Sequence, residues 1–329
     1  MKAIRFLGNS QVEIAELPNP APNADQVLIE VKASGLCGSE LGAYRGPNAM
    51  DSNAGHEVAG IVADPNGHPQ WEVGDRVGVF TLQGCGKCRW CRAGKDTFCD
   101  EVGVPSATHS QYSASRAHSM VKLDDDISFP IAVLLCGDGI GVPYGSALKA
   151  GVKAGDITCV FGCGPVGLGM VLLQSFLGAH VIAVDVNPTR LGFAEKMGAW
   201  QTVNSAETAD LVATLRDMTD GAGPDKCFEA AGRQDTLDVA MKATVPEGVI
   251  CCVGHGPQQI NPQDLIAKRN LTIMGNWIAH PGYYCDILAM YRAGLPLEKL
   301  ITATMPYTEA SEAYKRAAEG TEAKIVFEW

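Results

Sequence analysis

The segment Val160-Phe161-Gly162-Cys163-Gly164-Pro165-Val166-Gly167 constrains this chain most, because it sets three glycines between an apolar run and a helical stretch. A strand that turns through such glycines into a helix is the first half of a βαβ unit. Gly162 permits the tight turn, Gly164 lets backbone amides approach a pyrophosphate, and Gly167 allows helix to pack closely on strand. Pro165 and Val166 stand at the start of that helix, whose amino terminus favours phosphate charge. Alone the pattern is weak. It gains meaning from Asp185, which closes the next apolar run, Val181-Ile182-Ala183-Val184-Asp185, 18 residues after Gly167. A carboxylate there accepts bonds from adenosine ribose hydroxyls and repels a 2′-phosphate, so the reading is an NAD site rather than an NADP site. Arg190 is a further candidate contact to the ribose or a phosphate. The competing reading is a structural glycine turn beside a solvated Asp and a solvated Arg.

The surroundings extend this pattern. After Leu134, apolar strands alternate with helical stretches: Thr158-Cys159-Val160-Phe161, a helix through Leu173, the Val181 strand, a helix from Pro188, then Lys226-Cys227-Phe228-Glu229 and Val249-Ile250-Cys251-Cys252-Val253. That order predicts an α/β lobe with a doubly wound parallel sheet. From Met1 to about Val121 the texture is different, with short strand-like runs such as Val27 to Val31 and Val58 to Val62 broken by turn residues, which predicts a β-barrel. The tail from about Ile278 ends in a helix and the strand-like Lys324-Ile325-Val326-Phe327. With 329 residues, 46% of them hydrophobic, two lobes are expected.

A net charge of -11 leaves no basic surface for many phosphates, which argues against nucleic acid or an anionic membrane as partner. The first residues hold no apolar run behind a basic patch. No later stretch reads as the roughly 18 uncharged apolar residues of a membrane span, so a cytoplasmic location is expected.

Of the twelve cysteines, four are clustered as Cys85-x-x-Cys88-x-x-Cys91-x7-Cys99. Four thiolates in one compact loop suit tetrahedral zinc, and a full sulfur set leaves no position for substrate, so this zinc is expected to be structural. An iron-sulfur loop would have three residues before its last cysteine and Pro after it, whereas here there are seven and Asp100. Redox or disulfide use is the remaining alternative. Two further turns, Gly35-Leu36-Cys37-Gly38-Ser39-Glu40 and Gly55-His56-Glu57, each carry a metal-binding side chain, though singly such residues are more often core.

Taken in order, Cys37, Gly55-His56-Glu57, the cysteine quartet, the glycine turn and Asp185 resemble the zinc-containing medium-chain dehydrogenase/reductase family of alcohol, sorbitol and threonine dehydrogenases. The resemblance covers essentially the whole chain. It implies a GroES-like β-barrel catalytic domain in residues 1–139, a Rossmann NAD-binding domain in 140–277 and a segment 278–329 that completes the catalytic domain, with the active site in the cleft between lobes. It also implies that Cys37 and His56 are catalytic zinc ligands, that Ser39 passes the alcohol proton, that Glu57 is the acid beside the metal, and that Lys324 approaches the cofactor pyrophosphate. Glu40 stands where relatives have an Asp bonded to the ligand histidine. Gly42 stands where many have the histidine that ends the proton relay, so the relay must finish in water or elsewhere. For the third ligand the family register, six residues before the aromatic of a Tyr-Gly-Ser-Ala-like run, gives Asp138 when counted from Tyr144. Cys136 and a simple Gly137-Asp138-Gly139 turn are the alternatives.

Such a constellation has a clear use. A neutral alcohol resists loss of hydride, whereas an alkoxide expels it, and zinc with an open position lowers the pKa of a bound hydroxyl. The implied activity is hydride transfer from an alcohol, expected to be a polar secondary alcohol, polyol, cyclitol or sugar, to NAD, with two zinc ions per chain. Leu41, Tyr44, Phe80, Thr81 and Trp277 are the pocket candidates by family position. The expected partners are the small-molecule alcohol and further copies of the chain, as dimer or tetramer. The alternatives are a zinc-dependent aldehyde or ketone reductase working in reverse, and a non-catalytic NAD-binding, zinc-stabilised protein, which would need neither Cys37 nor His56.

Overall fold

Six parallel strands carry the glycine turn. Their spatial order is Gln201–Asn204, His180–Asp185, Ile157–Phe161, Lys226–Glu229, Val249–Cys252 and Thr272–Gly275. The chain begins this sheet in the middle with Ile157–Phe161, builds outward to one edge and returns to build the other, which is the doubly wound arrangement. Helices such as Pro165–Phe176, Pro188–Lys196 and Gln234–Ala243 make the crossovers. The central strands are covered on both faces, so they read as unbroken apolar runs: Cys159, Val160, Phe161, Val181 and Ile182 have no exposed surface.

A second large sheet is mixed. Its order is Ile301–Pro306, Lys324–Glu328, Gln26–Gly35, Glu57–Asp64, Arg76–Val79 and Met120–Lys122, with Tyr112–Arg116 also paired to Gln26–Gly35. Alternation along Gln26–Gly35 sends Val27, Ile29 and Val31 inward, where they meet Val58, Val62, Val77 and Val79. Each such side chain contributes about 1.5–3 kcal/mol when fully buried. The late strand Lys324–Glu328 pairs antiparallel with Gln26–Gly35 through Val326 and Gly35, so the tail joins this sheet, while the first residues form a separate two-stranded sheet of Lys2–Gly8 and Gln11–Glu16.

The computed structural model describes residues 1–105 and 107–329, and these divide into two units. One comprises Met1–Gly141, Ala279–Ala293 and Ile301–Trp329; the other comprises Val142–Ile278 and Gly294–Leu300. Gly294–Leu300, expected with the carboxy-terminal piece, goes instead with the parallel sheet. Its Leu295, Leu297 and Leu300 are buried, and the turn Leu297–Leu300 packs on helix Pro165–Phe176.

One apolar stretch departs from the sequence expectation. Residues Phe129–Ala150 form a helical run of 22 residues, long and apolar enough to cross a membrane, but it is mostly buried inside the protein, so it is a core element. Ser128 caps its start by accepting the Ile131 N–H. The run bends at Gly137, whose backbone is extended, and Asp138 opens the second half.

Candidate functional site

Cys37, His56, Glu57 and Asp138 each bring one potential ligand atom to a common point, all within 4.8 Å of one another. Three unrelated pieces of backbone make this possible. Cys37 follows the strand Gln26–Gly35, His56 and Glu57 stand at the start of Glu57–Asp64, and Asp138 is aimed by the bend at Gly137. His56 Nε2 lies 3.9 Å from Asp138 Oδ2. Cys136 is not among them: its thiol is buried against Gly78 of the neighbouring strand, and burial pushes its pKa up.

The charges here are unbalanced. Lys324 donates from Nζ to Glu57 Oε2, with both side chains almost wholly buried. Glu57 Oε1 and Asp138 Oδ1 are buried with no hydrogen-bond partner. Burial and the nearby Glu57 push the Asp138 carboxyl up to about 6, against the pull of His56 and Lys324. Burial alone would lower the His56 pKa, but Cys37, Glu57 and Glu40 together raise it to about 10. Two carboxyl groups and a thiol therefore face one ammonium and one imidazole, and two carboxylate oxygens lack partners. A divalent cation held by sulfur, nitrogen and oxygen donors fits that deficit, and the mixed donor set suits zinc.

Glu40 is fully inside this lobe. Its Oε1 accepts the Cys37 N–H at 3.0 Å and lies 4.0 Å from His56 Nδ1. Its Oε2 takes the Tyr314 hydroxyl at 2.5 Å and His109 Nε2 at 3.1 Å. Burial raises the Glu40 pKa, but His109, His56 and Tyr314 more than offset that and hold it at about 2. His109 and Tyr314 were not legible as site residues, because they lie 69 and 274 positions from Glu40. Ser39 is exposed on the turn Gly38–Glu40, next to Cys37. Tyr44, a candidate pocket residue, is instead a core residue at 5% exposure, stacked on Tyr314.

Lys324, expected near the cofactor pyrophosphate, is 3% exposed and its ammonium is bonded to Glu57, where it offsets the acid beside the candidate metal ligands.

Cys85, Cys88, Cys91 and Cys99 converge in a second cluster, again within 4.8 Å. All four are free, and Cys88 and Cys91 sulfurs stand 3.5 Å apart, beyond disulfide length. Backbone amides point at them: Cys85 N–H and Glu101 N–H donate to Cys99 Sγ, and Cys91 N–H to Cys88 Sγ. The Lys87 N–H lowers Cys85 to about 7, whereas burial pushes Cys91 up to about 12. A bound cation would hold both as thiolates, which is the behaviour of a closed zinc site.

In the other unit, Gly162 has φ +91°, a left-handed conformation that favours glycine. A Cβ on Gly167 would stand 1.8 Å from the Gly162 carbonyl oxygen, so the helix approaches the turn as closely as a side-chain-free residue allows. Around Gly164 the space is open, and no side chain caps the helix Pro165–Phe176 that it precedes. Free first-turn amides beside open space suit a phosphate. Asp185 ends its strand at 7% exposure; its oxygens accept Cys163 N–H at 2.7 Å and Asn187 N–H at 2.8 Å, with Arg190 Nη1 4.0 Å away. Each oxygen keeps a lone pair for a further donor. Glu229, which the sequence did not mark, ends the strand on the other side of Ile157–Phe161 wholly buried and holds the loop after it through Ala231 N–H and Gly232 N–H.

Comparison with known proteins agrees with this architecture. Residues 23–125 match the alcohol dehydrogenase GroES-like domain and residues 165–292 match the zinc-binding dehydrogenase domain. Sorbitol dehydrogenase of Bacillus subtilis is 30% identical over 97% of this chain and 94% of its own. The solved alcohol dehydrogenase of Thermus sp. ATN1 superposes with a TM-score of 0.89 at 26% identity, covering 100% and 99% of the two chains. An alcohol dehydrogenase of Escherichia coli CFT073 solved with NADH gives 0.87 at 25% identity, covering 100% and 99%. The chain belongs to the zinc-type medium-chain dehydrogenase family. These relatives are alcohol and polyol dehydrogenases, which supports an oxidoreductase of that class.

Proposed function

We propose that this protein oxidises a polar secondary alcohol, with a polyol as the leading class, and passes the hydride to NAD, using a catalytic zinc held by Cys37, His56 and Asp138. The observation that carries the proposal is the convergence of these three side chains with Asp138 Oδ1 buried and unpartnered beside them. When bound, zinc with an open position supplies the Lewis acidity that makes the alcohol acidic, and NAD supplies the hydride acceptor. The protein's own groups do the rest. Glu40 orients Cys37 and His56, Glu57 with Lys324 sets the charge beside the ligands, and the exposed Ser39 hydroxyl passes the alcohol proton outward, with Gly42 leaving solvent to receive it. A second zinc in the Cys85, Cys88, Cys91 and Cys99 cluster holds its loop. The turn Gly162 to Gly167 holds the NAD pyrophosphate, with Pro165 and Val166 in its first helical turn, while Asp185 and Arg190 face the adenosine ribose.

The sorbitol dehydrogenase likeness supports the polyol class. A panel of polyols, cyclitols, sugars, hydroxy amino acids and simple primary alcohols, scored by NADH formation before and after zinc chelation, tests the proposal. Turnover confined to primary alcohols would remove the substrate class, and turnover that survives complete zinc removal would remove the metal.

A further inference from the structure

We propose that His109 and Tyr314 are positioning residues of the metal centre, which set the reach of Glu40 and through it the placement of Cys37 and His56. The proposal rests on reading Cys37, His56 and Asp138 as metal ligands. A carboxylate inside a protein is costly unless its oxygens are bonded, and Glu40 meets that demand asymmetrically. Oε1 meets the ligand side, accepting Cys37 N–H at 3.0 Å and facing His56 Nδ1 at 4.0 Å. Oε2 is clamped by the Tyr314 hydroxyl and His109 Nε2. The terminal carboxylate torsion of a glutamate is soft. Two donors on Oε2 therefore decide which way Oε1 points, and hence how Cys37 and His56 are presented.

The clamp is itself held. Trp329 Nε1–H donates to Ser34 Oγ at 2.8 Å, the Ser34 hydroxyl meets His109 Nδ1 at 2.7 Å, and His109 Nε2–H then donates to Glu40. The hydrogen-bonded chain thus runs from Trp329 through Ser34 and His109 and ends on the Glu40 carboxylate. Tyr314 is fixed by stacking on Tyr44 at 5.4 Å and by an edge contact with Phe6 at 4.9 Å, and His109 meets the Phe327 ring at 5.2 Å. Ser34, His109 and Tyr314 have no exposed surface, so none of them can touch substrate. Among the described residues, their one polar outlet toward the ligands is Glu40.

The test reads metal retention and metal geometry, on full-length zinc-loaded protein mixed with a chromophoric chelator. Tyr314→Phe removes one oxygen and keeps the ring packing. It is expected to speed release of one zinc about tenfold or more, since losing a group behind a ligand costs ~10–100-fold in metal affinity, while the other zinc keeps its wild-type rate. Cobalt(II) substituted at the fast site should show a shifted visible spectrum. His109→Leu should act like Tyr314→Phe, whereas His109→Gln, whose amide can still donate to Glu40, should restore most of the wild-type rate; this pair decides the matter if Tyr314→Phe does not fold. Wild-type release and cobalt spectra in Tyr314→Phe, or equal effects of Leu and Gln at position 109, would overturn the proposal. His56→Ala serves as the reference and should retain one zinc. If it retains two, the reading of the metal ligands fails and this proposal fails with it; if it retains one while Tyr314→Phe behaves as wild type, the proposal fails alone.

Discussion

Lys324 donates its ammonium to the Glu57 carboxylate inside the mixed-sheet unit, at 3% and 1% exposure, across 267 positions of sequence. Burial opposes the charge on Lys324, but Glu57 and Cys37 raise its pKa. Removing one partner of such a pair strands the other, at a cost of about 3–5 kcal/mol. Lys324→Met should therefore lower the unfolding free energy by about that amount, and Lys324→Met combined with Glu57→Gln should recover part of it. Chemical denaturation of the three variants measures this; a loss below about 1 kcal/mol in Lys324→Met would show that the pair is not a buried ion pair.

Cofactor choice follows from Asp185. A 2′-phosphate would meet a buried carboxylate already tied to Cys163 and Asn187 amides, with Arg190 the nearest cation. NAD should be preferred over NADP by kcat/KM, and Asp185→Gly should narrow the preference about tenfold or more while also weakening NAD use, because the glycine turn loses its brace. Equal or better use of NADP by the wild type would contradict the role of Asp185.

The two metal clusters should separate under mutation. Cys91→Ser breaks a closed sulfur set that holds a loop, so thermal stability or solubility should fall. His56→Ala leaves that set intact, and turnover should vanish while NAD binding, followed by NADH fluorescence, stays largely as in the wild type. His56→Ala with most of the wild-type kcat would sink the catalytic role of that cluster.

Much of this molecule could be read from its residues, and the gaps have physical causes. Strands such as Lys226–Glu229 and Lys324–Glu328 were legible because apolar periodicity and flanking turns are local signals. The cysteine quartet and the glycine turn were legible for the same reason. What stayed hidden was contact between distant side chains: Tyr314 and His109 on Glu40, Lys324 on Glu57, and Tyr44 facing the core. The helix Phe129–Ala150 escaped notice as a long apolar run because Asp138 and Lys149 interrupt its composition without interrupting its burial. Gly294–Leu300 changed unit because three leucines found cover on helix Pro165–Phe176, a preference that no local pattern encodes.

Anomalous diffraction at the zinc edge, from crystals grown with zinc, tests the central claim most directly. The account predicts two peaks per chain. One should lie among Cys85, Cys88, Cys91 and Cys99, and the other should lie about 2.3 Å from Cys37 Sγ and about 2.0–2.2 Å from His56 Nε2 and an Asp138 carboxylate oxygen. A second peak bonded to Cys136 Sγ in place of Asp138, or no peak between Cys37 and His56, would contradict it.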